Sequence, residues 1–262
     1  MFKQIFGIAA LALSFTAAAQ QPPTVVDLPT RPGVTQRMRV TTPSEPKATV
    51  ILLAGGHGGL QIFQNGSFKW GEGNFLVRSR QLFADKGLMA VVVDAPSDRL
   101  RAPFLNGFRQ TEEHAADLKA TIAWARATAK VPVWLVGTSR GTQSAAYAAT
   151  VLQGADAPDG VVLTATILAD YKQRPVPAMP LDQIKVPVLV VHHQQDGCSH
   201  CAYSEIPNLM AKLTHTPRSH LITATGGKNQ GDACAAFAYH GFNGLEADVV
   251  GQMADWILAP AR

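Results

Sequence analysis

Short, nearly unbroken apolar runs alternate along this chain with longer stretches of helical spacing. The runs at 48–54, 88–94, 160–169 and 186–192, with one that begins at 131, have the length and continuity of strands covered on both faces. Weaker alternation at 37–42 predicts an edge strand, and 221–225 a short strand. Helical spacing covers 75–86, closed by Gly87, then 111–129, 143–152, 203–213 and 245–258. The clearest helix is 111–129, where Ala115, Leu118, Ile122, Ala125 and Ala129 fall on one side. Strands alternating with helices predict an α/β fold, a mainly parallel sheet flanked by helices on both faces. No repeat or low-complexity tract interrupts the pattern. Only about fifteen residues separate the strand ending near Asp170 from the next one, too few for a separate lid domain.

Composition narrows this picture. The 262 residues, 47% hydrophobic and 16% charged, suit one globular domain rather than two or a disordered chain. The net charge of +4 is carried by scattered Lys and Arg, which excludes a nucleic-acid footprint. At the N-terminus Lys3 precedes an apolar stretch over 5–15 and the small residues Ala17, Ala18 and Ala19. That order predicts a cleaved signal peptide over 1–19, with no stable membrane anchor left after cleavage. A Pro-rich extended arm follows over 20–34, and the domain proper spans 35–262. Export to a periplasm or beyond makes a disulfide the default reading of Cys198, Cys201 and Cys234, with one thiol left over. A metal site drawn from Cys198, His200, Cys201 and Cys234 needs more assumptions than a bridge does.

Candidate chemistry begins where the strand from 131 meets Gly137-Thr138-Ser139-Arg140-Gly141. Gly-x-Ser-x-Gly is weak as a pentapeptide, but strong between a strand and a helix. The turn forces a strained backbone on the serine and presents Oγ at a helix N-terminus. A serine nucleophile requires an imidazole to take its proton and a carboxylate to orient that ring. On an open α/β sheet both come from loops after later strands. Asp196 follows the strand 186–192, and His240 lies between the last strand and the last helix, so the order is Ser139, Asp196, His240. Asp170, at the end of the preceding strand, is the second choice for the acid. His57 is a lesser rival as base. Asp94 reads as a strand-end hydrogen-bond partner. His192 and His193 point oppositely and cannot both face the site. His114 reads as a solvated helix position. Phe63, Phe68, Trp70, Phe104 and Phe108 are candidates for an acyl-pocket wall, or for a satellite core.

With these residues in place, nearly all of the chain beyond the N-terminal segment resembles the α/β-hydrolase superfamily. The matching features are 137–141, the strand exit Leu52-Leu53-Ala54-Gly55-Gly56, Asp196-Gly197 and His240-Gly241-Phe242. The short, lidless plan looks most like dienelactone-hydrolase-type proteins and small esterases. That resemblance implies a Ser-His-Asp acyl-transfer mechanism acting on a small-molecule ester, without metal or organic cofactor; it names no substrate. The superfamily's His-Gly at the strand exit is displaced here to His57-Gly58. One oxyanion donor is then the N–H of Arg140, and the second that of Gly56 or His57, with the register open. Cys198 lies two residues past Asp196 and Cys234 six before His240. A Cys198–Cys234 bridge would therefore tie acid loop to base loop; Cys201–Cys234 and Cys198–Cys201 are the alternatives. A redox-active Cys-x-x-Cys is disfavoured, because no helix N-terminus of the thioredoxin kind is evident there.

Overall fold

A computed structural model describes residues 22–260. The expected signal peptide over 1–19 lies outside the described residues. Eight strands form one sheet in the order β1-β2-β4-β3-β5-β6-β7-β8. They are β1 (Thr24–Arg31), β2 (Val34–Thr41), β3 (Ala48–Leu53), β4 (Leu88–Val93), β5 (Val133–Thr138), β6 (Gly160–Thr164), β7 (Val188–His193) and β8 (Ser219–Ala224). The β1–β2 and β2–β4 pairs are antiparallel, and every other pair is parallel. All six parallel strands therefore end on the same edge, where their following loops meet.

The helices are α1 (Phe75–Arg78), α2 (Arg80–Asp85), α3 (Glu112–Ala129), α4 (Gly141–Val151), α5 (Ile206–Ala211) and α6 (Glu246–Leu258). Because side chains alternate across a strand, the apolar runs feed two cores. Ile51, Leu53, Val133 and Leu135 pack with Leu118 and Ile122 of α3 and Ala145 and Ala149 of α4. Val50, Leu52, Trp134 and Val136 pack with Phe83 of α2 and Val249, Val250 and Met253 of α6. The small residues of α4 let that helix lie close over β5. The sheet is thus mainly parallel and covered by helices on both faces, as the alternation of apolar runs predicts.

Several expectations change in detail. The 20–34 segment, expected as an arm, carries β1, whose Arg31 reaches buried Asp117 of α3 at 2.9 and 3.0 Å. Pro29 is tolerated because β1 is the outermost strand. The strand expected at the edge, β2, accordingly lies one place in. The helix expected over 75–86 is broken at Ser79, whose N–H still closes onto Phe75 but whose backbone (φ −90°, ψ 0°) begins a second, offset turn. The strand expected over 160–169 stops at Thr164, because Ala165 turns to φ +43°. The helix expected over 203–213 starts as a 3-10 turn and becomes α-helical only at Ile206–Ala211, beside Pro207. His114, expected to be solvated, is buried on α3 edge-on to Phe108, with ring centroids 5.4 Å apart. Burial, and then nearby Arg109, push its pKa down to about 3.

Candidate active site

The strand–turn–helix at β5–α4 puts Ser139 at φ +52°, a conformation rare for any residue but glycine. Its two flanking glycines are required by space. A Cβ on Gly137 would lie 2.4 Å from the carbonyl oxygen of Gly141, and one on Gly141 2.0 Å from that of Leu53. Ser139 is held by its N–H to Thr164 O (3.0 Å) and by its carbonyl, which accepts from Thr142 N–H (2.9 Å). The sharp turn thus lifts the side chain over the parallel edge of the sheet, at the start of α4.

Asp196 and His240 meet there, as their positions in the chain suggest. Asp196, three residues past β7, is fixed by Cys198 N–H to Oδ1 (2.9 Å), and Oδ2 accepts from Nδ1 of His240 at 2.9 Å. Both side chains are shielded from water. A carboxylate at Nδ1 selects the tautomer that leaves Nε2 as the base. His240 and Ser139 line one cavity of about 310 Å³. Asp170, the second choice for the acid, is taken instead by Arg140 Nη1 at 2.7 Å. Burial alone would raise the Asp170 pKa; the N–H of Lys172 and the Arg140 guanidinium outweigh it and leave it lowered.

The neighbouring histidines support these loops from opposite directions. His192 Nε2 donates to Cys201 O at 2.7 Å and lies 3.6 Å from Asp196 Oδ2. Burial lowers its pKa. His193 turns the other way, bonds Gly226 O through Nε2, and stacks on Tyr239, the residue before His240, at 4.3 Å. The Cys198–Cys234 disulfide joins the same two loops. Cys201 is left as a buried thiol whose pKa burial pushes up. Cys198, Cys201 and His240 place their ligand atoms within 4.8 Å of one another. With Cys198 oxidised, however, the set lacks the thiolates a soft metal needs.

Opposite His240, the β3 exit loop forms the rest of the cavity. Its wall is mostly glycine: Gly55, Gly56, Gly58, Gly59, Gly71 and Gly73. None of the five loop aromatics proposed for the wall lines it. Phe104 stacks on His57 at 4.4 Å, Phe68 lies beside Arg39 and Arg80, Phe108 beside Arg31 and Arg99, and Phe63 and Trp70 are exposed. Phe75 is the aromatic that reaches the cavity. His57 has no carboxylate on its ring. Its Nδ1 accepts from Gly59 N–H at 3.1 Å, and burial, then Arg109, lower its pKa. Asp94 pins the next segment, accepting from the N–H groups of Leu60, Gln61 and Ile62 at 2.7–3.0 Å.

Sequence reasoning misses three site residues. Arg109, 1% exposed, donates to the carbonyls of Ala54 (3.0 Å) and Gly56 (3.1 Å) and to Ser144 Oγ (3.0 Å). Burial, and then the like charge of Arg140, draw its pKa down to about 9. Arg78 donates to Gly73 O and Gly241 O (2.6 Å each) and pairs with Glu246, joining the cavity wall to the His240 turn. Asn74 caps α1 and also lines the cavity. Of the three, only the cap was legible, as an Asn before an apolar run.

Comparison with known proteins agrees with this architecture. No protein-family model matches the chain, and no curated protein matches it. A dienelactone hydrolase from Anabaena variabilis superposes with a TM-score of 0.64 at 16% identity, over 93% of this chain and 99% of that one. An esterase from an Arctic intertidal metagenomic library gives 0.59 at 17%, over 93% and 99%. An α/β serine hydrolase without lid from Xanthomonas campestris gives 0.56 at 16%, over 94% and 100%. At such identities the likeness is one of fold. Among the described residues no helix is long and apolar enough to cross a membrane.

Proposed function

We propose that this protein is an exported serine hydrolase that cleaves carboxylic esters of small acyl groups. The observation that carries the reading is the Asp196–His240 hydrogen bond of 2.9 Å on the cavity that also holds the strained Ser139. His240 Nε2 takes the Ser139 proton as Oγ attacks the acyl carbonyl carbon. The carbonyl π pair moves onto oxygen. Collapse of the tetrahedral intermediate expels the alcohol, protonated by His240, and leaves an acyl-serine. Water, deprotonated by His240, releases the acid and restores the hydroxyl. Asp196 keeps its hydrogen bond to Nδ1 throughout and stabilises the imidazolium.

The oxyanion is met by the N–H of Arg140 and, of the two candidates on the β3 loop, by that of His57. Arg109 grips the carbonyl of Gly56, and in a trans peptide the N–H of the following residue points the opposite way. That favours His57 over Gly56. A cavity of about 310 Å³ is at the low end for ligand sites and suits a short acyl chain. Export is supported by the Cys198–Cys234 bridge, a feature typical of proteins in oxidising compartments, together with the 1–19 pattern.

Nitrophenyl esters of increasing acyl length, assayed beside an amide and a thioester, test the reading. Hydrolysis of acetate and butyrate esters, falling with longer chains and lost in Ser139→Ala, is expected. Preferred turnover of the amide or thioester reassigns the leaving group. Ester hydrolysis undiminished in Ser139→Ala sinks the mechanism.

A further inference from the structure

Asn74 has two jobs available to it, and its geometry keeps them apart. Its Oδ1 accepts the N–H of Leu76 at 3.2 Å, capping α1. That bond settles which end of the amide is which, since only oxygen can accept there. Nδ2 is thereby turned to the other side with its two hydrogens, and Asn74 lines the same cavity as Ser139 and His240. A methyl group placed on Gly55 would lie 2.9 Å from Ser139 Cβ and 3.4 Å from Asn74 Nδ2. Ser139 Cβ, the Thr138 carbonyl oxygen (3.0 Å) and the amide therefore border one gap, narrower than a methyl group and kept open by glycine at 55. An oxygen on the acyl carbon attached to Ser139, smaller than a methyl, can reach the amide side of that gap.

We propose that Asn74 Nδ2 is a third, side-chain donor to the acyl oxygen as it gains charge, and so a catalytic residue. This rests on the reading of Ser139 as nucleophile. Among the described residues that line the cavity, Asn74 brings the one side-chain amide, and seven of the others are glycine. It needs no reorganisation to act, because the cap to Leu76 already fixes χ2. Preorganised donors of this kind act on the transition state more than on bound substrate. The recognised substrate class follows: a compact acyl ester whose carbonyl oxygen reaches backbone and amide N–H groups together.

Asn74→Ser tests this, since a serine hydroxyl still caps a helix but carries no amide at the cavity. With p-nitrophenyl acetate, kcat is expected to fall about 10²–10³-fold in Asn74→Ser, KM staying within about threefold, as for loss of one oxyanion donor. Thermal stability should remain close to that of the wild type. Asn74→Asp, which also keeps the cap but replaces the donor by an anionic oxygen, should lose at least as much. An Asn74→Ser enzyme within threefold of the wild-type kcat overturns the inference. So does a rise in KM alone, or a loss of rate that only follows a fall in thermal stability. Fluorophosphonate labelling of the wild type separates the two levels. Label on Ser139 with a fully active Asn74→Ser variant defeats this inference only. No label on Ser139 defeats the serine-hydrolase reading and the inference with it.

Discussion

Arg109 is a buried guanidinium whose partners are two carbonyls and a hydroxyl rather than a carboxylate. Burying a charge on such terms is costly, and the return is the orientation of the 54–57 backbone. Replacing it with Met leaves the carbonyls of Ala54 and Gly56 without a donor and frees the loop that holds His57. Arg109→Met is expected to lower kcat by roughly 10²-fold, the scale of a small misplacement at a catalytic group, and to destabilise the protein by about 3 kcal/mol. Steady-state kinetics and urea unfolding check the two effects. Gly55→Ala separates geometry from stability. Its methyl would crowd Ser139 Cβ at 2.9 Å, so activity should drop by about 10²-fold with little loss of thermal stability. A Gly55→Ala protein with wild-type activity contradicts the space assigned there.

At the scale of elements, β7 and β8 deliver the loops of Asp196 and His240, and three of the contacts between them tie side chains together. These are the Asp196–His240 bond, the His193–Tyr239 stack and the Cys198–Cys234 bridge. The bridge closes a loop with a sequence separation of 36. By chain entropy, closing such a loop contributes roughly 4 kcal/mol. Reduction, or Cys234→Ser, is expected to lower stability by up to that amount and to slow turnover as the base loop loosens. Unchanged unfolding midpoints with and without reductant argue against this. These elements were largely legible in the sequence, because continuous apolar runs and glycine stops carry strand position directly. The elbow, Asp196 and His240 could be placed from the same pattern. What could not be read was the break at Ser79, the outer strand β1, and Arg109 on a loop with no period. Each depends on contacts between residues distant in the chain. Of the two alternatives for the loop aromatics, the satellite core holds for Phe108, which packs with Ala95 and Leu105, whereas glycine density at 55–59 and 71–73 walls the cavity; Phe104 stacks on His57, and Phe63 and Trp70 stay exposed.

Across the whole molecule, buried histidines couple stability to pH. The His114 pKa is about 3 in the folded protein and near 6.5 when unfolded, and that of buried His192 is also lowered. Between these limits the unfolded chain binds more protons than the folded one, so stability rises with pH. It is fully present above the unfolded value and is lost as pH falls from about 6.5 toward 3. His114→Leu should flatten that acid slope by about one proton, a gain over the wild type seen at pH 5 and absent at pH 8. Equal effects at both pH values would mean that His114 does not titrate in this way.

The central claim is that Ser139 is the nucleophile of an acyl-transfer site built on His240 and Asp196. Its most direct test is peptide mapping by mass spectrometry after reaction with a fluorophosphonate probe. The account predicts one phosphonyl adduct, on Ser139, absent after denaturation and strongly slowed in His240→Ala. An adduct on another residue, or none on the folded wild-type protein, contradicts it.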